Sequence, residues 1–249
     1  MNPSPENSKA SFGKKAKDYE KHAFVQSEAA AWLAEWLPMH ACKTCLELGA
    51  GTGLLTNYLK NQFEHLECSD IEPAMVAICR SKFPTLTHRV RDAWAPQSDT
   101  GKWDLVTASS VLQWASNPQT VMQNWRKLLS PRGRILVGLF VEPSLPEMLE
   151  VTGGRSPLVW RDEDTWRSIF EAAGFSVVRM ESKTQRYSYK SALELWKSVH
   201  GTGAAISQKL LPSQMIRFFR DYNAKYYNET GVYATWTSCR AELAIYSTP

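Results

Sequence analysis

Residues 46–53 read Leu-Glu-Leu-Gly-Ala-Gly-Thr-Gly, an apolar run that breaks into glycine at every second position. Loss of the Cβ atom at Gly49, Gly51 and Gly53 lets the backbone turn sharply from a strand into a helix, and lets a ligand lie against main-chain atoms. Glu47 stands two residues before the first glycine. Asp70 follows that glycine by 21 positions, at the end of a second strand-like run over residues 64–69. A carboxylate placed there can accept hydrogen bonds from both hydroxyls of a ribose. The combination predicts a parallel α/β sheet with an adenosine-containing cofactor at its carboxyl edge. The spacing is G-x-G-x-G, not G-x-G-x-x-G. A nicotinamide cofactor, whose ribose also takes an acid about twenty residues on, is the competing reading at this point.

The pattern on either side supports that architecture. Ala29, Trp32, Leu33 and Trp36 recur at three- and four-residue steps and predict an amphipathic helix from Val25 to Leu37, closed by Pro38. Strand-like runs follow at 44–48, 66–69, 87–91, 103–108 and 133–140, with helical patterns between them and Gly101, Pro131 and Gly133 at the joins. Such alternation predicts a parallel sheet covered by helices on both faces, because parallel strands need crossover connections. Beyond Phe140 comes an irregular stretch, then a helix from Glu163 to Ala173 ended by Gly174, a strand from Phe175 to Glu181, and a last strand from Thr235 to Tyr246. The roughly fifty residues between those two strands are too long for a hairpin loop. They carry helical patterns at Ser191–Val199 and Pro212–Tyr226. Residues 185–231 are therefore expected to form a helical cap over the cofactor pocket, inside a single domain spanning 1–249.

Composition excludes several function classes. The chain has 29 basic and 25 acidic residues, a net charge of +4, with no lysine-arginine tract, so neither nucleic acid nor a membrane is an expected partner. No stretch approaches the about 18 apolar residues of a membrane span. Five cysteines without an even framework fit a reducing cytoplasm. Cys42 and Cys45 form a C-x-x-C, but it precedes a strand and has no second pair, so it reads as structural and no metal is expected. The polar start, Met1 to Lys9, lacks the apolar core of a signal peptide and reads as a frayed tail. The cluster Lys14, Lys15 and Lys17 reads as a solvated helix face.

The order of glycine turn, strand-end acid, Arg91-Asp92-Ala93-Trp94 and the strand Trp103-Asp104-Leu105-Val106 leading to Leu112-Gln113-Trp114 resembles the class I S-adenosylmethionine-dependent methyltransferases. That resemblance implies a Rossmann-like, mostly parallel seven-stranded sheet with the cap inserted before the last strand. It also disfavours the nicotinamide reading, through Asp92-Ala93 and the final antiparallel strand. The opening Phe12-Gly-Lys-Lys-Ala16-Lys-Asp-Tyr19-Glu-Lys-His22-Ala-Phe-Val-Gln26, with Gln113-Trp114 and His200-Gly201-Thr202-Gly203-Ala204, is similar to malonyl-acyl-carrier-protein O-methyltransferases of biotin synthesis. Trans-aconitate methyltransferases share the Leu-Gln-Trp element and quinone-pathway enzymes share the glycine turn. They remain the alternatives, followed by a non-catalytic cofactor-binding protein.

By position-by-position matching, the resemblance implies that Gly49, Ala50, Gly51 and Gly53 pass the cofactor's amino-acid and ribose parts, with Glu47 beside them. It gives Asp70, followed by Ile71, to the ribose hydroxyls, and Met75 to the adenine. Asp92 would accept from the adenine amino group with Ala93 or Trp94 beside the ring. Ser109, Gln113 and Trp114 would line the methyl-transfer end. The substrate implied is the free carboxylate of a malonyl thioester on acyl-carrier protein or coenzyme A, and S-adenosylhomocysteine the second product. A carboxylate is ionised at neutral pH, so no general base is expected. Tyr19, within a lid segment over residues 1–24, is the expected orienting residue. Tyr19, His22, Arg161 and His200 are the substrate-binding candidates, with Arg155, Arg186, Lys197 and Arg217 as further cationic groups. Lys14, Lys15, Arg126, Lys127 and Arg132 are available to an acidic carrier protein. Asp104 is expected to organise the strand entrance, and the tryptophans, Trp114 apart, to fill core.

Overall fold

The computed structural model describes residues 16, 18–37, 42–96, 102–154, 156, 158–202 and 211–245. Expectations that fall on Phe12, Lys14, Lys15, Lys17, Pro38, Gly101, Arg155, Gly203 and Ala204 lie outside them. Two helices, α1 (Tyr19–His22) and α2 (Phe24–Ala34), precede an alternating run of β1 (Thr44–Leu48), α3 (Thr56–Leu59), β2 (His65–Asp70), α4 (Pro73–Lys82), β3 (Thr87–Val90) and β4 (Trp103–Ser109). A single 3-10 turn at Leu112–Trp114 leads to α5 (Pro118–Arg126), β5 (Leu129–Val141), α6 (Pro146–Thr152) and α7 (Glu163–Ala172). The chain then makes β6 (Phe175–Tyr189), α8 (Ala192–Gly201), α9 (Pro212–Tyr226), β7 (Tyr227–Asn228) and β8 (Gly231–Ile245).

The strands form one sheet in the order β3-β2-β1-β4-β5-β8-β6, with the two-residue β7 pairing β8 off that path. Seven strands therefore make the main path, as the resemblance implies, and β7 is an eighth that it did not foresee. The pairings of β1 through β5 are parallel; β8 runs antiparallel to both β5 and β6. The central strands β1 and β4 are buried along nearly their whole length, as strands covered on both faces must be. On one face, Trp125 of α5 and Trp166 and Phe170 of α7 pack against Val106, Val137 and Leu243. On the other, Leu33 of α2, Leu55, Leu59 and Cys79 of α4 pack against Cys45, Leu66 and Leu105. A third cluster, with Trp196, Phe218, Tyr222 and Tyr226, lies under the two helices that connect β6 to β8.

Helix starts follow local chemistry. Asn117, Asp162 and Ser191 each accept a hydrogen bond from the backbone N–H three residues on, which satisfies one of the free donors of α5, α7 and α8. Asp104 organises the entrance to the central strands. Its Oδ2 accepts from the N–H groups of Lys43 (2.9 Å) and Thr44 (3.1 Å), and its Oδ1 from the Ser130 hydroxyl.

Three boundaries differ from expectation. Helix α2 ends at Ala34, short of Leu37. Strand β6 continues eight residues past Glu181, and β8 begins at Gly231, before Thr235. The extension pairs Ser182–Tyr189 with Val232–Cys239 beyond the main sheet. Its residues are polar and alternate in exposure, so no apolar run marked it as a strand.

Edge strand β3 has no fully buried residue, so apolar packing contributes little to hold it. An ion cluster compensates. Glu67 of β2, with its side chain 2 % exposed, accepts from Arg91 Nη2 at 2.7 Å and Arg89 Nε at 3.0 Å. Arg91 is itself buried, and removing the carboxylate would break a buried ion pair while its guanidinium stays inside. Glu67→Ala is therefore expected to lower unfolding stability by about 3–5 kcal/mol. A urea denaturation series showing a loss below about 1 kcal/mol would contradict this role.

Candidate cofactor site

The chain runs outward from β1 to β2 and β3, then returns to β4 on the other side of β1. Diverging connections leave a crevice at the carboxyl ends of β1 and β4, where open α/β sheets bind ligands. A pocket open to solvent occupies this crevice. Gly49, Ala50, Gly51, Thr52, Leu54 and Leu55 line it from the turn after β1, and Glu47 from the strand end. Ser109 and Ser110 line it from β4, and Tyr19 and Gln26 from the N-terminal helices.

The turn's three glycines do different work. All have positive φ (+70°, +57° and +94° at Gly49, Gly51 and Gly53), which disfavours any side chain. A Cβ on Gly49 would meet Val111 Cγ2 at 2.4 Å, and one on Gly53 would meet the Phe83 ring at 2.5 Å. Their missing side chains make room for protein. A Cβ on Gly51 would meet nothing within 4 Å, so this is the glycine that presents bare backbone to open space.

Asp70 ties that backbone to the sheet. Its Oδ2 accepts from the Gly51 N–H at 2.8 Å and its Oδ1 from the Glu72 N–H at 2.9 Å. Each oxygen retains a second lone pair for a ligand hydroxyl. Burial raises the Asp70 pKa above the ordinary aspartate value, against the pull of those two donors. Half-buried Tyr19 is near enough to feel that charge. Burial and then the Asp70 carboxylate push its phenol well above the usual range, so it stays a neutral donor. Glu47 is 2 % exposed and accepts from the Thr56 hydroxyl at 2.6 Å; burial raises its pKa from 4.5 to about 7.

Three buried polar atoms on the lining have no hydrogen-bond partner: Gln26 Oε1, Thr52 Oγ1 and Ser110 Oγ. Unpaired buried acceptors are costly and call for a ligand that donates to them. A bare glycine backbone, a strand-end carboxylate and a ring of unsatisfied acceptors fit a cofactor with hydroxyl and amino groups, such as S-adenosylmethionine. Gln26 and Thr52 are not among the residues expected to bind, whereas Ser110 falls within the segment 109–114 that the resemblance places at the methyl-transfer end. Gln26 carried a signal, a polar residue on the buried face of a helix. Ser110 owes its place to an αL backbone (φ 60°), which no residue type announced.

Other expected residues stand elsewhere. Met75 is buried in α4, Ile71 is half-buried, and neither lines the cavity. Asp92 Oδ1 accepts from the Trp94 N–H, closing a turn after β3. The Ala93 carbonyl accepts from Trp125 Nε1, and Trp94 packs against the core. Trp114 is half-buried on the 3-10 turn. Arg161 lies over the Trp166 ring at 5.5 Å, and Arg186 over Tyr233 at 4.8 Å. Arg217 pairs with Asp221 and Lys197 is exposed. His200 stacks on Trp196 at 3.7 Å and its Nδ1 donates to the Trp196 carbonyl. His22 joins lid to cap: its ring fills the space beside Gly201, where a Cβ would approach within 2.3 Å, and its carbonyl accepts from the Ser198 hydroxyl. Among the described residues, no lysine or arginine lines the pocket.

Comparison with known proteins agrees with this geometry. Residues 46–135, from the glycine turn to β5, match the family described as "Methyltransferase domain". A malonyl-[acyl-carrier protein] O-methyltransferase of Paenibacillus sp. is 25% identical over 89% of this chain and 91% of its own. That of Haemophilus ducreyi is 29% identical over 88% of this chain and 89% of its own. The magnesium protoporphyrin IX methyltransferase of Synechocystis, solved with bound SAH, superposes with a TM-score of 0.54 at 17% identity, over 90% of this chain and 83% of that one. No helix among the described residues is long and apolar enough to cross a membrane.

Glu47 gives the site a pH signature. Between 4.5, its ordinary value, and about 7 the folded state holds a proton that the unfolded chain has released. Stability from this group is therefore greatest below 4.5 and falls as pH rises to 7, by roughly 3 kcal/mol in all. Glu47→Gln is expected to remove that decline, as measured by denaturation between pH 4.5 and 8. An identical pH profile in the variant would refute the buried-proton assignment. Fold, glycine turn and relatives converge: residues 46–135 match the methyltransferase-domain family, the fold is one shared with solved methyltransferases, and the chain resembles the malonyl-acyl-carrier-protein O-methyltransferases along most of its length.

Proposed function

We propose that the chain methylates the free carboxylate of a malonyl thioester borne by acyl-carrier protein, with S-adenosylmethionine as donor, in biotin synthesis. The observation that carries this reading is the length of the likeness to relatives of that name, which reaches well beyond the 90 residues of the common methyltransferase domain. A methyl ester would mask the terminal charge, and so let the chain end pass through elongation machinery that excludes a carboxylate.

Bound S-adenosylmethionine supplies an electrophilic methyl group on a sulfonium. Asp70 would accept from the ribose hydroxyls and Gly49 to Gly51 would offer main-chain atoms, with Ser109 at the methyl-transfer end; the resemblance alone gives Asp92, Ala93 and Trp94 to the adenine and Gln113 and Trp114 to that end, since none of these five lines the pocket. The malonyl carboxylate is already ionised, so the residues' tasks are to hold it in line with the methyl and to exclude water. Tyr19 is suited to the first task, because its neutral phenol can donate to the carboxylate. Residues 1–24 act as the lid and 185–231 as the cap. The contacts of His22 with Gly201 and Ser198 support joint movement of the two, and Glu20 of the lid pairs with Lys82 of α4. An acyl chain with its carrier arm would enter under the cap, whose aromatic cluster offers an apolar wall.

Methyl transfer from labelled S-adenosylmethionine to malonyl-acyl-carrier protein, malonyl-coenzyme A and trans-aconitate is expected to favour the carrier protein. Transfer to trans-aconitate alone would overturn the malonyl reading, and cofactor binding without transfer to any acid would favour a non-catalytic role. Asp70→Ala should weaken S-adenosylhomocysteine binding by about 1.5–3 kcal/mol, the cost of charged hydrogen bonds; unchanged affinity by calorimetry would remove Asp70 from the ribose. Tyr19→Phe should leave that affinity intact and lower turnover. Equal turnover would reduce Tyr19 to packing.

A further inference from the structure

Behind the glycine turn, on the edge of the sheet, lies a second group of chemically capable side chains that methyl transfer does not use. Cys68 of β2 and His88 of β3 are direct partners in the parallel register, and Cys79 of α4 packs onto them. One ligand atom from each of the three lies within 4.8 Å of the other two, the only such grouping of three His, Cys, Asp or Glu residues among the described residues. Both cysteines are free and buried.

The histidine is oriented for ligation. Its Nε2 lies 2.8 Å from the Phe83 carbonyl oxygen, an acceptor, so Nε2 carries the proton and Nδ1 keeps its lone pair. That Nδ1 is buried and has no hydrogen-bond partner. An imidazole anchored through one nitrogen to a carbonyl, with the other nitrogen free, is the arrangement that metal-bound histidines adopt. The Thr56 hydroxyl stands 3.7 Å from Cys79 Sγ as an outer contact, and a Cβ on Gly53 would lie 3.2 Å from that sulfur, so the missing side chain relieves crowding at Cys79.

We infer that Cys68, Cys79 and His88 form a binding site for a soft divalent cation, with zinc the best match. Two thiolates neutralise a 2+ charge, and sulfur with imidazole nitrogen is the donor set such ions take. Bonds of about 2.3 Å to sulfur and 2.0 Å to nitrogen set tetrahedral ligand atoms roughly 3.5–3.8 Å apart, so the site closes by at most about 1.3 Å on binding. Water completes the fourth position, and binding releases the two thiol protons to solvent. Entry is from the outer edge, since β3 ends the sheet and His88 is half-buried. The ion would staple β2, β3 and α4 together. Thr56, which touches Cys79 on one side and donates to Glu47 on the other, would carry that rigidity to the cavity wall.

Cobalt(II) is the probe, titrated into the reduced full-length chain. One equivalent is expected to give the thiolate-to-cobalt charge-transfer absorption and the visible bands of a tetrahedral site, and zinc is expected to displace it. His88→Gln and Cys79→Ser should each weaken uptake at least tenfold, with circular dichroism confirming their folds, while Cys42→Ser leaves it unchanged. Absence of the charge-transfer band in the folded wild-type chain would overturn the site without recourse to any variant. A band that survives Cys79→Ser and vanishes in Cys42→Ser would move the metal to the C-x-x-C and overturn it equally.

Discussion

A single carboxylate holds the site's frame. Asp70, at the end of β2, receives the N–H of Gly51 in the turn after β1, so two strand ends and one loop are fastened at the place where the chain reverses direction across the sheet. This bond fixes the one glycine whose backbone faces open space. The same carboxylate raises the Tyr19 pKa from across the cavity and contributes to that of Glu47. Glycine alone would permit many loop shapes; the buried acceptor selects one.

The cavity is bounded above by segments far apart in sequence. The lid helix α1 rests between α4, through Glu20 and Lys82, and the cap helix α8, through His22, Ser198 and Gly201. Tyr19 and Gln26 flank these contacts, so the N-terminal helices carry two of the residues that line the pocket. The cap has its own aromatic core around Trp196, Phe218, Tyr222 and Tyr226, which lets its helices hold shape at the end of two long strands. In the proposed reading the parallel sheet would supply the cofactor groups, and the N-terminal helices and the β6–β8 insertion would supply what distinguishes one acceptor from another.

What was legible in the sequence was what strong periodicity or unusual residue types announce. Buried parallel strands are short apolar runs, and β1, β4 and the strand-end Asp70 stood out on that account, as did Asp104 at its entrance. The two helices between β6 and β8 were legible as helical patterns in a segment too long for a loop. The polar half of β6 was not, because Ser182 to Tyr189 alternates between partly exposed and exposed positions and buries too little to leave an apolar stripe. Glycine spacing told where Cβ atoms had to be missing, but not what fills the space: at Gly53 it is Phe83, at Gly49 Val111. Arg161 and His200 looked available as cations, yet each is engaged by a tryptophan, a contact set by folding across elements. Cys68, Cys79 and His88 carry no recognisable spacing, since strand pairing and a helix crossing bring them together.

The central claim is that the crevice between β1 and β4, closed by the N-terminal lid, is where the cofactor lies. Hydrogen–deuterium exchange on the full chain with and without S-adenosylhomocysteine tests this most directly. The account predicts protection concentrated at residues 49–55 and 109–111 and at the lid around residues 19–26, together with slower exchange at the end of β2. Protection confined to the cap or to the β6–β8 extension, with residues 49–55 unchanged, would contradict it.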